Sequence, residues 1–247
     1  MPPLVLTFAA SDPTGGAGIQ ADILTIASLG CHPLSAVTAL TVQDTRGVER
    51  FTAVAASEVL AQARAVLADM PVAAFKLGVL ASSENVRAVE ALLREHAGVP
   101  VVLDPVLASA RGDSLAGEGL LEELQARLVP LATVVTPNNL EAERLGGHER
   151  LLRAGAKFVL VTGTHRDTPE VVNTLYSARG VVREDRWPRL PHSYHGSGCT
   201  LASALAACLA KGLDASAAAR AAQEYTWRAL AAGFRPGQGQ HLPSRRP

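Results

Sequence analysis

Aromatic residues make up only 4% of this 247-residue chain, which carries just three cysteines, two methionines and two tryptophans. With so few rings, a core has to be built from Ala, Val and Leu. Hydrophobic residues fill 48% of positions, enough for one large core, and an α/β chain of this length stays a single domain. Cys31, Cys199 and Cys208 are odd in number and form no C-x-x-C pair, which excludes a disulfide framework and a structural zinc site and points to a reducing compartment. Charge of one sign is missing too: Lys plus Arg and Asp plus Glu are both 23, so no broad field exists to grip a nucleic acid or an anionic membrane. No run nears the roughly 18 uninterrupted apolar residues of a membrane span, and Met1-Pro2-Pro3-Leu4 lacks the basic start of a signal peptide. The expectation is a soluble, cytoplasmic protein. Neither G-x-G-x-x-G nor G-x-x-x-x-G-K-[ST] occurs, so the Rossmann fingerprint and the Walker A loop are both absent.

What is present is an alternation. Leu4 to Ala10 is a short apolar run closed by Ser11-Asp12-Pro13-Thr14-Gly15-Gly16, after which Ile19, Ile23, Ile26 and Leu29 follow at helical spacing. Val72 to Leu77 predicts a strand, Ser83 caps a helix carrying Val86, Val89, Leu92 and Leu93 that stops at Gly98, and Val99 to Leu103 predicts the next strand. Further strands follow at Val134 to Thr136 and Lys157 to Thr162, then a hairpin turning at Ser177-Ala178-Arg179-Gly180 and two Ala-rich helices between Gly198 and about Gly233. Such alternation specifies a three-layer α/β/α sandwich with a mostly parallel central sheet, and ligands then bind at the carboxyl ends of its strands. One domain spans residues 1–235. The tail 236–247, rich in Pro, Gly, Gln and Arg without apolar periodicity, is expected to be disordered or loosely attached.

The strongest chemical signal is Tyr194-His195-Gly196-Ser197-Gly198-Cys199-Thr200, directly before the helical pattern of Leu201, Leu205 and Leu209. Two glycines allow a sharp turn with exposed amides, and the helix behind aims unpaired N–H groups and partial positive charge at the same spot, forming an anion cradle of Gly196, Ser197 and Gly198. A thiol there has its thiolate favoured by the dipole, so Cys199 is expected to titrate below the free value of about 8.5. Asp104 ends a predicted strand, where it fits either a divalent cation or a Pro-containing turn. Asn138 and Glu141 sit at another strand end, three residues apart, and fit either a capping box or a ligand set. Asp22 lies in the first turns of a helix, as dipole compensation or as a ligand. Gln43 ends the run Leu34 to Val42, either as a surface residue or as a bidentate amide suited to an adjacent ring nitrogen and amine.

Taken together these blocks resemble the hydroxymethylpyrimidine/phosphomethylpyrimidine kinases of thiamine biosynthesis, within the ribokinase-like superfamily. The resemblance covers residues 4 to about 232 and rests on Ser11-Asp12-Pro13 through Asp22, Thr38-Ala39-Leu40 with Gln43-Asp44-Thr45, Lys76-Leu77-Gly78, Asp104-Pro105-Val106, Thr136-Pro137-Asn138 with Glu141-Ala142, and Gly196 to Thr200. It implies phosphorylation, with ATP and Mg²⁺, of 4-amino-5-hydroxymethyl-2-methylpyrimidine and then of its monophosphate, by a homodimer. It assigns the aminopyrimidine to Asp22 and Gln43, the pocket wall to Val79 and Val106, and the base role to Cys199. The amides of 196 to 198 become the anion hole, Asp104 and Glu141 the Mg²⁺ ligands, and Asn138 a triphosphate contact. This chain departs from the family at Ala10, where Gly is common, at Val79, where Met is common, and at Thr162, where many members carry a Lys facing ATP; either Lys76 compensates at the nucleotide or Thr162 offers only its hydroxyl there. The segment Gly146 to Ala156 is short for the family. Competing readings are a pyridoxal kinase of the same superfamily, a cysteine hydrolase pairing Cys199 with His195, and a non-catalytic pyrimidine sensor.

Overall fold

The computed structural model describes residues 1–106 and 118–246. Among them, nine strands form one sheet: β1 Leu4–Ser11, β2 His32–Asp44, β3 Gly47–Ala53, β4 Val72–Leu77, β5 Val101–Leu103, β6 Val134–Val135, β7 Phe158–Thr162, β8 Glu170–Ser177 and β9 Gly180–Pro188. Their order across the sheet is β3-β2-β1-β4-β5-β6-β7-β8-β9. The block from β2 to β7 is parallel, while β3 at one edge and β8 and β9 at the other pair antiparallel. The expected mostly parallel sheet is therefore present.

Period-two alternation decides which side chain enters which layer. Leu4, Leu6 and Phe8 of β1, Phe75 and Leu77 of β4 and Leu103 of β5 enter one core, with the apolar faces of α2 (Ala56–Asp69), α3 (Ser83–Glu95), α4 (Glu118–Arg127) and α6 (His148–Arg153). Val5, Ala74, Val102 and Val134 point the other way, onto α1 (Gly18–Ser28), α7 (Ser197–Ala210) and α8 (Ala215–Ala231). Ala202, Ala204, Ala206 and Ala207 of α7 have no exposed surface. Their small side chains let α7 lie close under β4 and β5, with its first turn at the carboxyl ends of those strands.

Three local expectations shift. Ser82, not Ser83, caps α3, its Oγ accepting the Asn85 N–H at 3.1 Å, and the helix stops at Glu95, before Gly98. The strand from Leu34 runs on to Asp44 and turns back as β3, an edge strand whose charged and exposed residues give no apolar run. The tail is the larger correction. Residues 236–246 fold back onto the domain: Leu242 pairs with Phe234 and His241 with Tyr194, the Ser244 N–H donates to the Ala229 carbonyl, and Arg245 is buried. Its order comes from partners far away in sequence, which leave no local periodicity.

The chain leaves β1 toward β2 on one side and later reaches β4 on the other. Such a reversal of winding direction opens a crevice at the strands' carboxyl ends, and the candidate site lies there.

Candidate active site

A cavity of about 1040 Å³ runs along the carboxyl edge, from the β2–β3 hairpin (Gln43, Val48, Phe51) across the end of α7 to β7–β9 and α8 (Thr162, Trp187, Trp227). Between β2 and β7 lie five strand spacings of about 4.8 Å each, so the trough is long enough for two ligands placed end to end.

Its centre is the start of α7. Gly196 is the N-cap, with φ +77° and no side-chain cap bond, and Gly196, Ser197, Gly198 and Cys199 all line the cavity. The cap has to be glycine twice over, since its φ is left-handed and a Cβ there would overlap the Gly16 carbonyl oxygen. The helix start expected to carry the cradle thus stands on the cavity wall. Gly18 opens α1 on the same wall.

Beneath lies a buried charge cluster. Lys76 and Asp22 have no exposed surface and pair at 2.9 Å; Asp22 also accepts from Thr7 Oγ1 at 2.5 Å and Ser203 Oγ at 2.7 Å. Asp22 was expected on the aminopyrimidine. With its oxygens spent on Lys76, Thr7 and Ser203 it does not line the cavity, and it acts instead as the counter-ion of Lys76. Lys76 does line the floor, but burial beneath Gly78, where a Cβ would stand 2.7 Å from Nζ, keeps it within the cluster. Burial alone would depress the Lys76 ammonium; the charges of Asp22, Cys199 and Asp104 outweigh it and hold the pKa above the ordinary lysine value.

Cys199 corrects a second expectation. Burial pushes its thiol up to about 11, with Asp104 and Asp22 adding to the rise and Lys76 and the Gly18 N–H opposing it. Loss of hydration and the two nearby carboxylates disfavour the thiolate, in the direction opposite to the one expected of a helix start alone. Asp104, buried at the end of β5, is likewise pushed up to about 6, by burial first and by Asp22, against Lys76. Its Oδ2 has no hydrogen-bond partner among the described residues.

Asn138 and Glu141 form the capping box of α5 (Asn139–Arg144). Asn138 Oδ1 accepts the Glu141 N–H and Glu141 Oε2 accepts the Asn138 N–H, both at 2.9 Å. Both residues also line the cavity, as does Thr162, whose backbone bridges to Asn138. Gln43 reaches the far end, its Nε2 donating to Thr41 Oγ1 at 2.8 Å, with Val79 and Val106 on the wall.

Several residues were not anticipated. Asp12 Oδ2 accepts from His195 Nε2 at 2.9 Å and from the Ala17 N–H at 2.7 Å, stapling the glycine turn after β1 to the entry of α7. Burial opposes ionisation of Asp12, but its hydrogen bond and charge contact with His195 bring the pKa below the usual carboxylate value. That contact also turns His195 Nε2 toward Asp12, and no hydrogen bond joins His195 to Cys199 among the described residues, which counts against the hydrolase pairing. The chain's two tryptophans, Trp187 and Trp227, stack with centroids 6.3 Å apart on the cavity wall opposite Gln43. Their rarity in a chain so poor in rings was the available signal.

A helix start without a side-chain cap, on a cavity wall with a carboxylate and a thiol beside it, suits transfer of a phosphoryl group to a small acceptor, the chemistry of the α/β small-molecule kinases. The sequence matches the phosphomethylpyrimidine kinase family over residues 12–244, and the chain belongs to that family. A hydroxymethylpyrimidine/phosphomethylpyrimidine kinase from Streptomyces coelicolor is 42% identical, over 96% of this chain and 92% of that one. The thiamine biosynthesis bifunctional protein ThiED of Geobacter sulfurreducens is 40% identical over 95% of this chain and 50% of its own. Among solved structures, phosphomethylpyrimidine kinase (ThiD) from Clostridium difficile 630 aligns with a TM-score of 0.80 at 33% identity, over 92% of this chain and 99% of that one. Pyridoxal kinase from Staphylococcus aureus, in complex with AMP-PCP and pyridoxal, aligns at 0.90 and 26%, over 99% and 94%.

Proposed function

We propose that the chain transfers the γ-phosphoryl group of ATP to the hydroxyl of 4-amino-5-hydroxymethyl-2-methylpyrimidine, and then a second phosphoryl group to the monophosphate. The observation that carries this is the uncapped start of α7, which opens between the Gln43 end and the tryptophan end of one trough. The acceptor lies by Gln43, Val79 and Val106, the nucleoside by Thr162, Trp187 and Trp227, and the transferred group between them over the 196–198 amides. Those amides stabilise charge gathering on the phosphoryl oxygens, and Lys76 beneath adds a fixed positive charge.

The residues fit a magnesium ion arriving with the nucleotide, since Mg²⁺ uses one or two carboxylates and leaves its other positions to water and phosphate. Asp104, with its unpartnered Oδ2, and Glu141 would hold it or its waters. Bound there, it would neutralise phosphate charge.

Cys199 is the proton acceptor for the hydroxyl in this reading, a role that burial opposes and that Lys76 and the Gly18 N–H favour. The two steps separate it from a structural role. A hydroxyl must lose a proton, whereas a phosphate acceptor at neutral pH is already anionic. Cys199→Ala is therefore expected to slow the first phosphorylation by about 10²-fold or more and the second by less than about 5-fold, followed by ADP release and product mass. Equal losses in both steps would remove the base role. No ATP turnover by the wild type with either pyrimidine would remove the function.

A pyridoxal kinase activity is the second reading, favoured by the similarity to the pyridoxal-bound Staphylococcus aureus enzyme. Gln43 argues for the aminopyrimidine, because a pyridine lacks the exocyclic amine that the amide carbonyl would accept. The ratio of kcat/KM for the two alcohols decides between them.

A further inference from the structure

We propose that Arg245 is a positioning residue for phosphoryl transfer: from behind the cavity wall its guanidinium holds the Gly196–Ser197 peptide so that the Ser197 N–H faces the transferred group. Arg245 lies in the segment that carries no helical or strand periodicity, and it does not line the cavity. It is nonetheless 94% enclosed, with 6% of its surface exposed. Nη2 donates to the Gly16 carbonyl at 2.6 Å and to the Gly196 carbonyl at 3.4 Å, Nη1 to the Gly15 carbonyl at 3.3 Å, and Nε to Thr200 Oγ1 at 3.0 Å. Thr200 Oγ1 in turn donates to the Gly196 carbonyl at 2.8 Å.

Three carbonyl dipoles from two glycine turns converge on this one cation. Unneutralised, they would repel each other and the turns would part, since Gly196 lies against the Gly16 carbonyl without room for a Cβ. A trans peptide is planar with its C=O and N–H opposed, so anchoring the Gly196 oxygen behind the wall directs the Ser197 N–H into the trough. The same holds for Gly16, whose carbonyl faces Arg245 while the Ala17 N–H of that peptide donates to Asp12. Glycine supplies no side chain to resist peptide rotation, so the guanidinium adds to the hold that the Thr200 N–H, at 3.0 Å, and Oγ1 place on the Gly196 carbonyl from within α7. Only a guanidinium offers five donors in a fixed fork; an ammonium keeps the charge and loses the fork.

The inference rests on the start of α7 being the phosphoryl site. Wild type, Arg245→Met and Arg245→Lys are compared by steady-state kinetics with the pyrimidine alcohol and Mg-ATP, with melting curves to show that each is folded at the assay temperature. Arg245→Met is expected to lose about 10- to 100-fold in kcat, less than removal of an oxyanion donor itself, while KM for the alcohol stays within about 2-fold. Arg245→Lys is expected to recover part of the loss, and it carries the test if the Met variant does not fold. A folded variant of either kind with wild-type kcat, or a kcat loss matched by an equal rise in KM for the alcohol, overturns the proposal. Binding of AMP-PCP, followed by tryptophan fluorescence, keeps the two readings apart. Wild type that binds the analogue yet phosphorylates no alcohol defeats the functional reading and this inference with it; active wild type with unaffected Arg245 variants defeats the inference alone.

Discussion

Replacing Lys76 by Met removes a cation that has no exposed surface and leaves its partner Asp22, equally enclosed, with the Thr7 and Ser203 hydroxyls as its donors among the described residues. Water cannot reach Asp22 to make up the loss, so the charge must be carried unpaired or neutralised by a proton. Breaking a buried pair from one side costs about 3–5 kcal/mol, and for a chain of this size each kcal/mol moves the melting temperature by roughly 2–4 °C. Lys76→Met is therefore expected to melt about 10 °C below wild type. Asp22→Asn in the Lys76→Met background removes the stranded charge while the amide keeps both hydroxyl contacts. The double variant is expected to regain at least about half of the loss, which a double-mutant cycle reads as coupling of about 2 kcal/mol. Scanning calorimetry and urea titration at pH 7.5 measure both. The same substitution removes the positive charge that favours the Cys199 thiolate, so the thiol rises further above about 11 and alkylation by iodoacetamide at pH 9 slows. A Lys76→Met melting point within about 2 °C of wild type, or coupling near zero, would refute the buried-pair reasoning. Faster alkylation would refute the electrostatic link to Cys199.

The α7 entry makes a paired prediction. Gly196→Ala forces a left-handed φ on alanine and overlaps the Gly16 carbonyl, so it should destabilise by about 2 kcal/mol or more and abolish turnover, whereas a Cβ at Gly198 lies 3.7 Å from Asp104 and should leave the melting point within about 2 °C. Equal melting points for the two variants would count against the described contact between the glycine turns. Asp12 predicts a pH dependence. Its folded pKa is depressed, so its stabilisation is complete above the unfolded value and is lost as pH falls through the folded one; the deficit of Asp12→Asn should be about 2 kcal/mol at pH 7 and shrink below about pH 4. A deficit that is constant from pH 7 to pH 3 would mean that the carboxylate charge is not what His195 recognises.

Much of this protein was set by local pattern. The apolar run at 4–10 and the strand-like run at 72–77 became β1 and β4, the helical spacing from Ile19 became α1, and the glycines before Leu201 became the N-cap and first turn of α7. The sequence motifs were also enough for the family. Tertiary structure decided the electrostatics and the partners. Asp22 was drawn beneath the floor by Lys76, 54 residues away, and Cys199 was pushed up rather than down once its surroundings were enclosed. Arg245 found the Gly15 carbonyl 230 residues back along the chain and ordered a tail whose composition promised none. Periodicity is carried by neighbours three or four residues apart, but desolvation and the meeting of distant polar groups arise only when the chain closes on itself, and those two effects govern how the cradle is charged and held.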